Sequence, residues 1–383
     1  MELSQMLNKL KPYLAIISLQ FGYAGMYIVT MVSLKGGMSH WILVVYRHAA
    51  AILAVAPFAL ILERKTRPKM TLSIFLKVLL LGFLEPVVDQ NLYYVGMTYT
   101  SATFASATVN VLPAITFIMA VIFRLEKVNL KRGASVAKVI GTAITVSGAM
   151  VMTLYKGPIV NILPYHPGGD QHHHNNATTS TDNQQHWVTG TILLLCCICS
   201  WSAFFIAQSI TLKEYPAELS LAALICMAGM VESGVVALIM ERDISAWALG
   251  FDSRLLAAVY SGVVCSGIAY YIQSVIIKAR GPVFLTAFTP LSMVITAVLA
   301  AIILAEQVHL GSLIGAAVIV IGLYSVVWGK SKEQKYLNEK GEDSELPVVD
   351  KNNSSIPNYN PVVDPLEQTS KPHKNSSTLH QEP

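Results

Sequence analysis

Residues 41–62, WILVVYRHAAAILAVAPFALIL, carry a single formal charge, Arg47. A helix rises 1.5 Å per residue, so this stretch would reach about 33 Å and cross a hydrocarbon layer of about 30 Å. Further stretches pass the same test approximately: 13–34, 74–96, 103–123, 134–154, 188–210, 219–240, 255–277, 284–304 and 310–328. None alternates polar and apolar residues as barrel strands do. Helices apolar on every side would also leave a soluble bundle too few polar faces for water. A helix closes its own backbone hydrogen bonds, the condition that hydrocarbon imposes. The expected fold is therefore all-α and integral to the membrane, with ten transmembrane helices.

Composition agrees. Of 383 residues, 53% are hydrophobic and 13% charged, against about 25% charged in soluble domains; mean hydropathy is +0.51. The net charge of +4 comes from short cationic clusters between apolar stretches, a topology signal rather than a nucleic-acid stripe, so no nucleic-acid partner is expected. Cys196, Cys197, Cys199, Cys226 and Cys265 all lie in apolar stretches, with no second pair or histidine nearby at ligand spacing. They read as small buried hydrophobes, and no metal site is expected. The chain has no Walker loop, no His-Glu-x-x-His and no G-x-S-x-G elbow, so an enzyme, an ATP-driven pump and a cofactor are all unexpected. Residues 13–34 are longer than a signal-peptide core and read as the first span.

Lysine and arginine set the orientation. The clusters at 9–11, 64–69, 124–132, 213, 278–280 and 330–335 fall on one side of the ten spans, whereas the other side receives only Lys35, Lys156, Arg242 and Arg254. That bias places both termini in the cytosol. The expected order is a cytosolic N-terminus (1–12), a first five-helix repeat (13–154), a noncytosolic polar loop (155–187), a second five-helix repeat (188–328) and a disordered cytosolic tail (329–383). The loop contains Asn176-Ala177-Thr178, which makes Asn176 a glycosylation acceptor on a permissive side. Its run His172, His173 and His174 reads as solvated loop rather than a metal site.

The two halves repeat. At one offset Gly82 aligns with Gly262, Phe104 with Phe284, Ala107 with Ala287, Glu126 with Glu306 and Val128 with Val308; a second run aligns Tyr27 with Phe205 and Lys35 with Lys213. Five spans per repeat is an odd number, so the second copy enters from the opposite side. Inverted repeats can exchange two unequal conformations and open one central site alternately to either side. Glu126 and Glu306 end the fourth helix of each repeat and read as helix-end structural or gating groups.

Polar residues inside the spans mark the site. Arg47 must face the protein interior or snorkel. Glu85 and Asp89 lie one helical turn apart, and Asp89 needs a cation, a proton or a basic partner, with Arg47 a candidate. Glu85, Asp89 and Arg47 are thus the candidates for charge neutralisation or coupling. Asn110 precedes Pro113, and its repeat partner is Pro290, so both fourth helices can present partly broken backbone to a common cavity. Gln20, Tyr23, Asn91, Asn110, Trp201 and Tyr270 are the expected substrate-facing residues, with Gln273 nearby in sequence. A small zwitterion with a variable side chain suits such a lining; a neutral sugar, a purine or a weak organic acid also fits.

Several stretches carry a resemblance: LQFGYAG at 19–25, Tyr46-Arg47-His48, Pro57-Phe58-Ala59, SATVNVLP at 106–113, RLEKV at 124–128 and LYKGP at 154–158. Over about residues 10–330 the chain resembles the plant nodulin-like branch of the drug/metabolite transporter superfamily, which includes the Walls Are Thin-related proteins and plant amino-acid exporters. The resemblance implies two EamA-type repeats in ten helices. It also implies facilitated or bidirectional movement of a small-molecule substrate, most of all amino acids, across the plasma membrane, in contact with membrane lipid and with a homodimer as an option. Relatives in the vacuolar membrane and relatives linked to auxin keep auxin, nucleobases and other organic solutes open as substrates. The competing class is a nontransporting membrane receptor or scaffold.

Accessibility labelling of single cysteines checks the topology: Lys65→Cys and Lys131→Cys are expected to react from the same side as both termini, and Gln171→Cys from the opposite side.

Overall fold

A computed structural model of the chain describes residues 2–35, 37–100, 102–126, 131–155, 157–158, 181–250, 252–303 and 309–339. The expected features at Asn176, His172 to His174 and Glu306, and the tail beyond residue 339, lie outside the described residues. The elements are α1 (Glu2–Lys35), α2 (His40–Leu62) and α3 (Leu72–Gly82), which runs through a π-helical segment (Phe83–Asp89) into α4 (Gln90–Tyr99). There follow α5 (Ala102–Val109), α6 (Leu112–Ile122), α7 (Gly133–Leu154), α8 (Thr181–Glu214) and α9 (Glu218–Met240). After a short 3-10 turn, α10 (Ser253–Tyr260) passes through a second π-helical segment (Ser261–Ile268) into α11 (Ala269–Arg280), and the chain ends in α12 (Pro282–Ala287), α13 (Thr289–Ile303) and α14 (Leu310–Glu339).

Among the described residues, 7 helical stretches are long and apolar enough to cross a membrane: His40–Leu62, Gly133–Leu154, Trp187–Glu214, Glu218–Met240, Ser253–Arg280, Pro282–Leu299 and Leu310–Glu333. Large apolar side chains, among them Leu53, Ile61, Ile122 and Leu238, point outward, a surface that lipid accepts and water does not. The protein is an all-α, multi-pass membrane bundle.

Three boundaries move. Helix α1 begins at Glu2 and α8 at Thr181, both inside segments expected to be loop or terminus. Helix α14 continues to Glu339, past the repeat end expected at 328. At its start Lys330 pairs with Glu126 and Glu333 with Lys138, contacts that composition does not reveal. Only Cys197, Cys226 and Cys265 are buried; Cys196 and Cys199 are exposed on the outside of the bundle, because a single helix face cannot turn all of 196, 197 and 199 inward.

Small residues set the closest crossings. Helix α2 packs on α9 and on the second π segment, and α9 packs on α3 and the first. A Cβ added at Gly82 would lie 2.7 Å from the Ala228 Cβ of α9, and one added at Gly262 would lie 2.7 Å from the Ala50 Cβ of α2. The aligned glycines thus let each π-containing rod touch the second helix of the other half. Helices α7 and α14 pack tightly in the same manner, with Gly148 against the Ile319 backbone. Between the rods, Phe204, Leu221, Tyr270, Ile74 and Leu81 form the main apolar core.

Charged groups fasten one end of the bundle. The Glu63 carboxylate accepts the N–H groups of Leu219 (3.0 Å) and Ser220 (2.6 Å), capping α9. Lys138 of α7, with a side chain 0% exposed, donates to Glu126 at 2.5 Å and to Glu333 of α14 at 2.8 Å, and Lys330 completes the cluster at 2.5 Å from Glu126. Burial works against the charge of Glu126, but the Lys330 and Lys138 ammoniums outweigh it and hold the carboxyl below its usual range. Lys77 and Glu214 form a more exposed pair.

Removing one partner of a buried ion pair costs about 3–5 kcal/mol, whereas exposed pairs contribute less than about 1 kcal/mol. Lys138→Ala is therefore expected to lower thermal stability in detergent strongly and Lys77→Ala barely, as read by the loss of monodisperse protein on heating. Equal shifts for the two variants would refute this account of the cluster.

Candidate functional site

Irregular backbone is tolerated at membrane depth only where it is buried in protein or lines a cavity. Among the described residues there are four such places. The two π-helical segments carry Glu85, Pro86 and Asp89 in one and Cys265 and Ser266 in the other. The other two are the breaks between α5 and α6 at Asn110–Val111 and between α12 and α13 at Phe288. Pro113 and Pro290 sit one position inside α6 and α13, where a missing N–H costs no helical hydrogen bond.

A cavity of about 390 Å³, within the usual range for small-molecule sites, is lined by the first π segment and by residues at both helix breaks, while the second π segment stands behind Arg47. Seven of the residues singled out from sequence line it: Gln20, Tyr23, Arg47, Glu85, Asp89, Asn110 and Trp201. Tyr270 and Asn91 do not. Asn91 donates to the Val87 carbonyl on its own rod at 2.7 Å, and Tyr270 stands behind the wall and donates its hydroxyl hydrogen to Glu85. Lining residues of α1, α4, α7 and α13 extend to Thr30, Met97, Met152 and Thr296, so the cavity reaches toward the end of the bundle that holds the α1–α2 turn. Toward the opposite end the Tyr13 and Phe284 rings meet edge-on at 5.5 Å, and the Arg280 guanidinium lies 5.7 Å from the first ring and 5.8 Å from the second.

The charged groups are separately partnered. Arg47 donates to the Ser266 hydroxyl at 2.6 Å and to the Cys265 carbonyl at 3.3 Å. It forms no ion pair with Asp89 or Glu85 among the described residues, contrary to the candidate pairing; the carbonyls and hydroxyl of the π segment offer it nearer acceptors. Asp89 accepts the Cys197 thiol hydrogen at 2.9 Å. Glu85 accepts from the Gln90 amide at 3.1 Å as well as from Tyr270. Gln273 donates to the Tyr23 hydroxyl at 2.5 Å, joining α11 to α1.

Sequence reasoning missed part of the wall. Cys197 reads as a plain hydrophobe, yet it and Trp201 and Phe205 line the cavity; their spacing of four along α8 was the available signal. Met26, Met97, Met152 and Met293 also line it. Nothing in sequence separates such methionines from lipid-facing ones, although a flexible thioether adapts well to varied ligands.

The EamA-like transporter family matches residues 10–154 and 188–328. The chain is 61% identical over 348 residues to the WAT1-related protein At1g21890 of Arabidopsis thaliana, covering 90% of each chain. It is 62% identical over 349 residues to the WAT1-related protein At4g08300 of the same plant, covering 90% of this chain and 92% of the other. A solved structure described only as the crystal structure of a protein shares the fold, with TM-score 0.61 at 17% identity over 84% of this chain and 96% of that one. The chain therefore belongs to the EamA-like transporter family, among the plant WAT1-related proteins, and is a membrane transporter of small molecules rather than an enzyme.

Proposed function

We propose that the chain moves a small organic solute by alternating access, with ten spans in two inverted five-helix repeats, 13–154 and 188–328, around the cavity. The observation that carries this is the cavity itself: it reaches toward one end of the bundle, and aromatic and cationic contacts lie toward the other. Three correspondences support the repeats. Both π segments fall at nearly the same place in the offset that pairs Gly82 with Gly262, as do the two helix breaks and the two close glycine crossings. With both termini cytosolic, the described state is open to the noncytosolic side. The membrane proposed is the plasma membrane, with the vacuolar membrane as the alternative.

The lining favours an amphipathic organic solute without singling out an amino acid. Tyr23, Tyr27, Tyr93, Tyr94 and Trp201 offer ring faces, while Gln20, Gln90 and Arg47 offer polar contacts. An aromatic acid such as auxin or a nucleobase can be held as an amino acid can, by its ring on one side and its polar edge on the other.

Reconstituted full-length protein, tested with labelled amino acids, indole-3-acetate and nucleobases, is expected to equilibrate at least one of them across the vesicle membrane. Trp201→Ala is expected to slow that flux by roughly tenfold at unchanged protein abundance, the loss of about 1.4 kcal/mol of aromatic contact. A chain ending at Glu339 is expected to keep full flux, since every described contact of α14 is retained. The absence of flux for the whole panel, or unchanged flux in Trp201→Ala, would count against the site.

A further inference from the structure

The Glu85 contacts extend beyond the cavity wall. Glu85 is at the cavity surface, and behind it the Tyr270 hydroxyl of α11 donates to its carboxylate. On the far side of that hydroxyl lies Nε2 of His48 on α2, 3.5 Å away. The other ring nitrogen, Nδ1, is 2.8 Å from the Val44 carbonyl. A carbonyl only accepts, so Nδ1 carries the hydrogen, and Nε2 of the neutral ring is left as an acceptor. Tyr270 has one hydrogen and two acceptors competing for it. In the described state the hydrogen goes to Glu85, and the distance to His48 is correspondingly long.

We propose that Glu85 is a proton-binding site of the transport cycle, and that its protonation turns the Tyr270 hydroxyl from Glu85 to His48. The balance is simple. One proton from the cavity binds a Glu85 carboxylate oxygen, and the new O–H donates to the Tyr270 oxygen. The Tyr270 O–H rotates and donates to Nε2 of His48, which stays neutral and keeps its hydrogen on Val44. One proton is taken up, none is passed on, and the cavity wall gains one unit of positive charge.

The position suits coupling. The relay joins the first π segment, α11 and α2, and His48 also lies at the crossing of α2 with Gly229 of α9. The change at Glu85 is therefore felt where the two halves of the bundle touch. The charges and titratable groups around Glu85 are Asp89 on its own segment, Arg47 and His48 on α2, Tyr23 on α1, and Tyr94 on α4. Cys197 on α8, Cys226 on α9, Cys265 on the second π segment and Tyr270 on α11 complete the set. Of these, Arg47 is the cation, and its hydrogen bonds go to Ser266 and Cys265. Arg47 acts on Glu85 through its charge, with no direct ion pair between the two among the described residues. Asp89 lacks such a relay, since its described partner is the weak Cys197 donor.

The inference rests on the transport reading, and one experiment separates the two. Full-length protein is placed in vesicles with an internal pH dye and the membrane potential clamped, and labelled glutamine, phenylalanine, indole-3-acetate and adenine are offered. Exchange at equal pH on both sides identifies a transported solute. A gradient of about one pH unit is then expected to drive up to about tenfold accumulation at one proton per solute, with matching acidification of the lumen. Glu85→Gln is expected to abolish both responses and to leave in any residual exchange only the titration of the solute itself. Should Glu85→Gln be inactive, Tyr270→Phe decides: loss of a donor to the carboxylate is expected to move the pH profile of transport to higher pH. Exchange by the wild-type protein that ignores every pH gradient, gradient-driven accumulation that survives in Glu85→Gln, or an unmoved profile in Tyr270→Phe would each overturn the proton site and leave transport standing. No exchange of any solute would overturn both.

Discussion

A peptide group in hydrocarbon has no water to bond, and each unsatisfied one costs several kcal/mol. The protein can therefore afford irregular backbone only where other protein or a cavity meets it. The first π segment and the two broken helices obey that rule at the cavity, and the second π segment obeys it against protein, where it packs on α2 and accepts from Arg47. Polar side chains follow the backbone there. Arg47 illustrates the point: it lies within an otherwise uncharged helix, yet it is 7% exposed and bonded to Ser266 and Cys265 across the bundle. A lipid-facing arginine at that depth would cost at least about 2.5 kcal/mol.

Close helix crossings support the same arrangement. Gly82 and Gly262 allow the π-containing rods to lie against α9 and α2, and in lipid such approach has to come from packing, because expulsion of water contributes nothing between helices. The ends of the bundle differ. One is tied by the Glu126, Lys138, Lys330 and Glu333 cluster and by the Tyr13, Phe284 and Arg280 stack, while the other leaves the cavity reachable. A device of this kind exchanges states only if the tied end can be released. The ion cluster, made of side chains from α7, α14 and the turn after α6, is stable without being continuously deformable.

Much of the wall was readable beforehand. Gln20, Tyr23, Arg47, Glu85, Asp89, Asn110 and Trp201 stand out because a polar or amphipathic group inside an apolar run needs a reason. Tyr270 and Asn91 meet the same criterion and yet turn away from the cavity. The criterion detects that a polar group is buried in protein, and burial against a neighbouring helix satisfies it as well as a ligand does. Cys197 and the four lining methionines failed it from the other direction, being ordinary in any span. The extension of α14 to Glu339 was hidden for a related reason: its polar composition is that of a tail, and the ion pairs of Lys330 with Glu126 and of Glu333 with Lys138 come from residues far apart in sequence.

The sequence by itself determined that the chain is helical and built for lipid, because length and uncharged composition act locally, within each span, through the backbone's need to bond itself. It also exposed the internal duplication, since aligned residues need no coordinates. Tertiary structure alone decided which polar groups share a space and which partner each one takes. Arg47 goes to the second π segment rather than to Asp89, and Glu85 goes to Tyr270, because hydrogen bonds reach about 3 Å and only the crossing of helices far apart in sequence brings donor and acceptor within that reach.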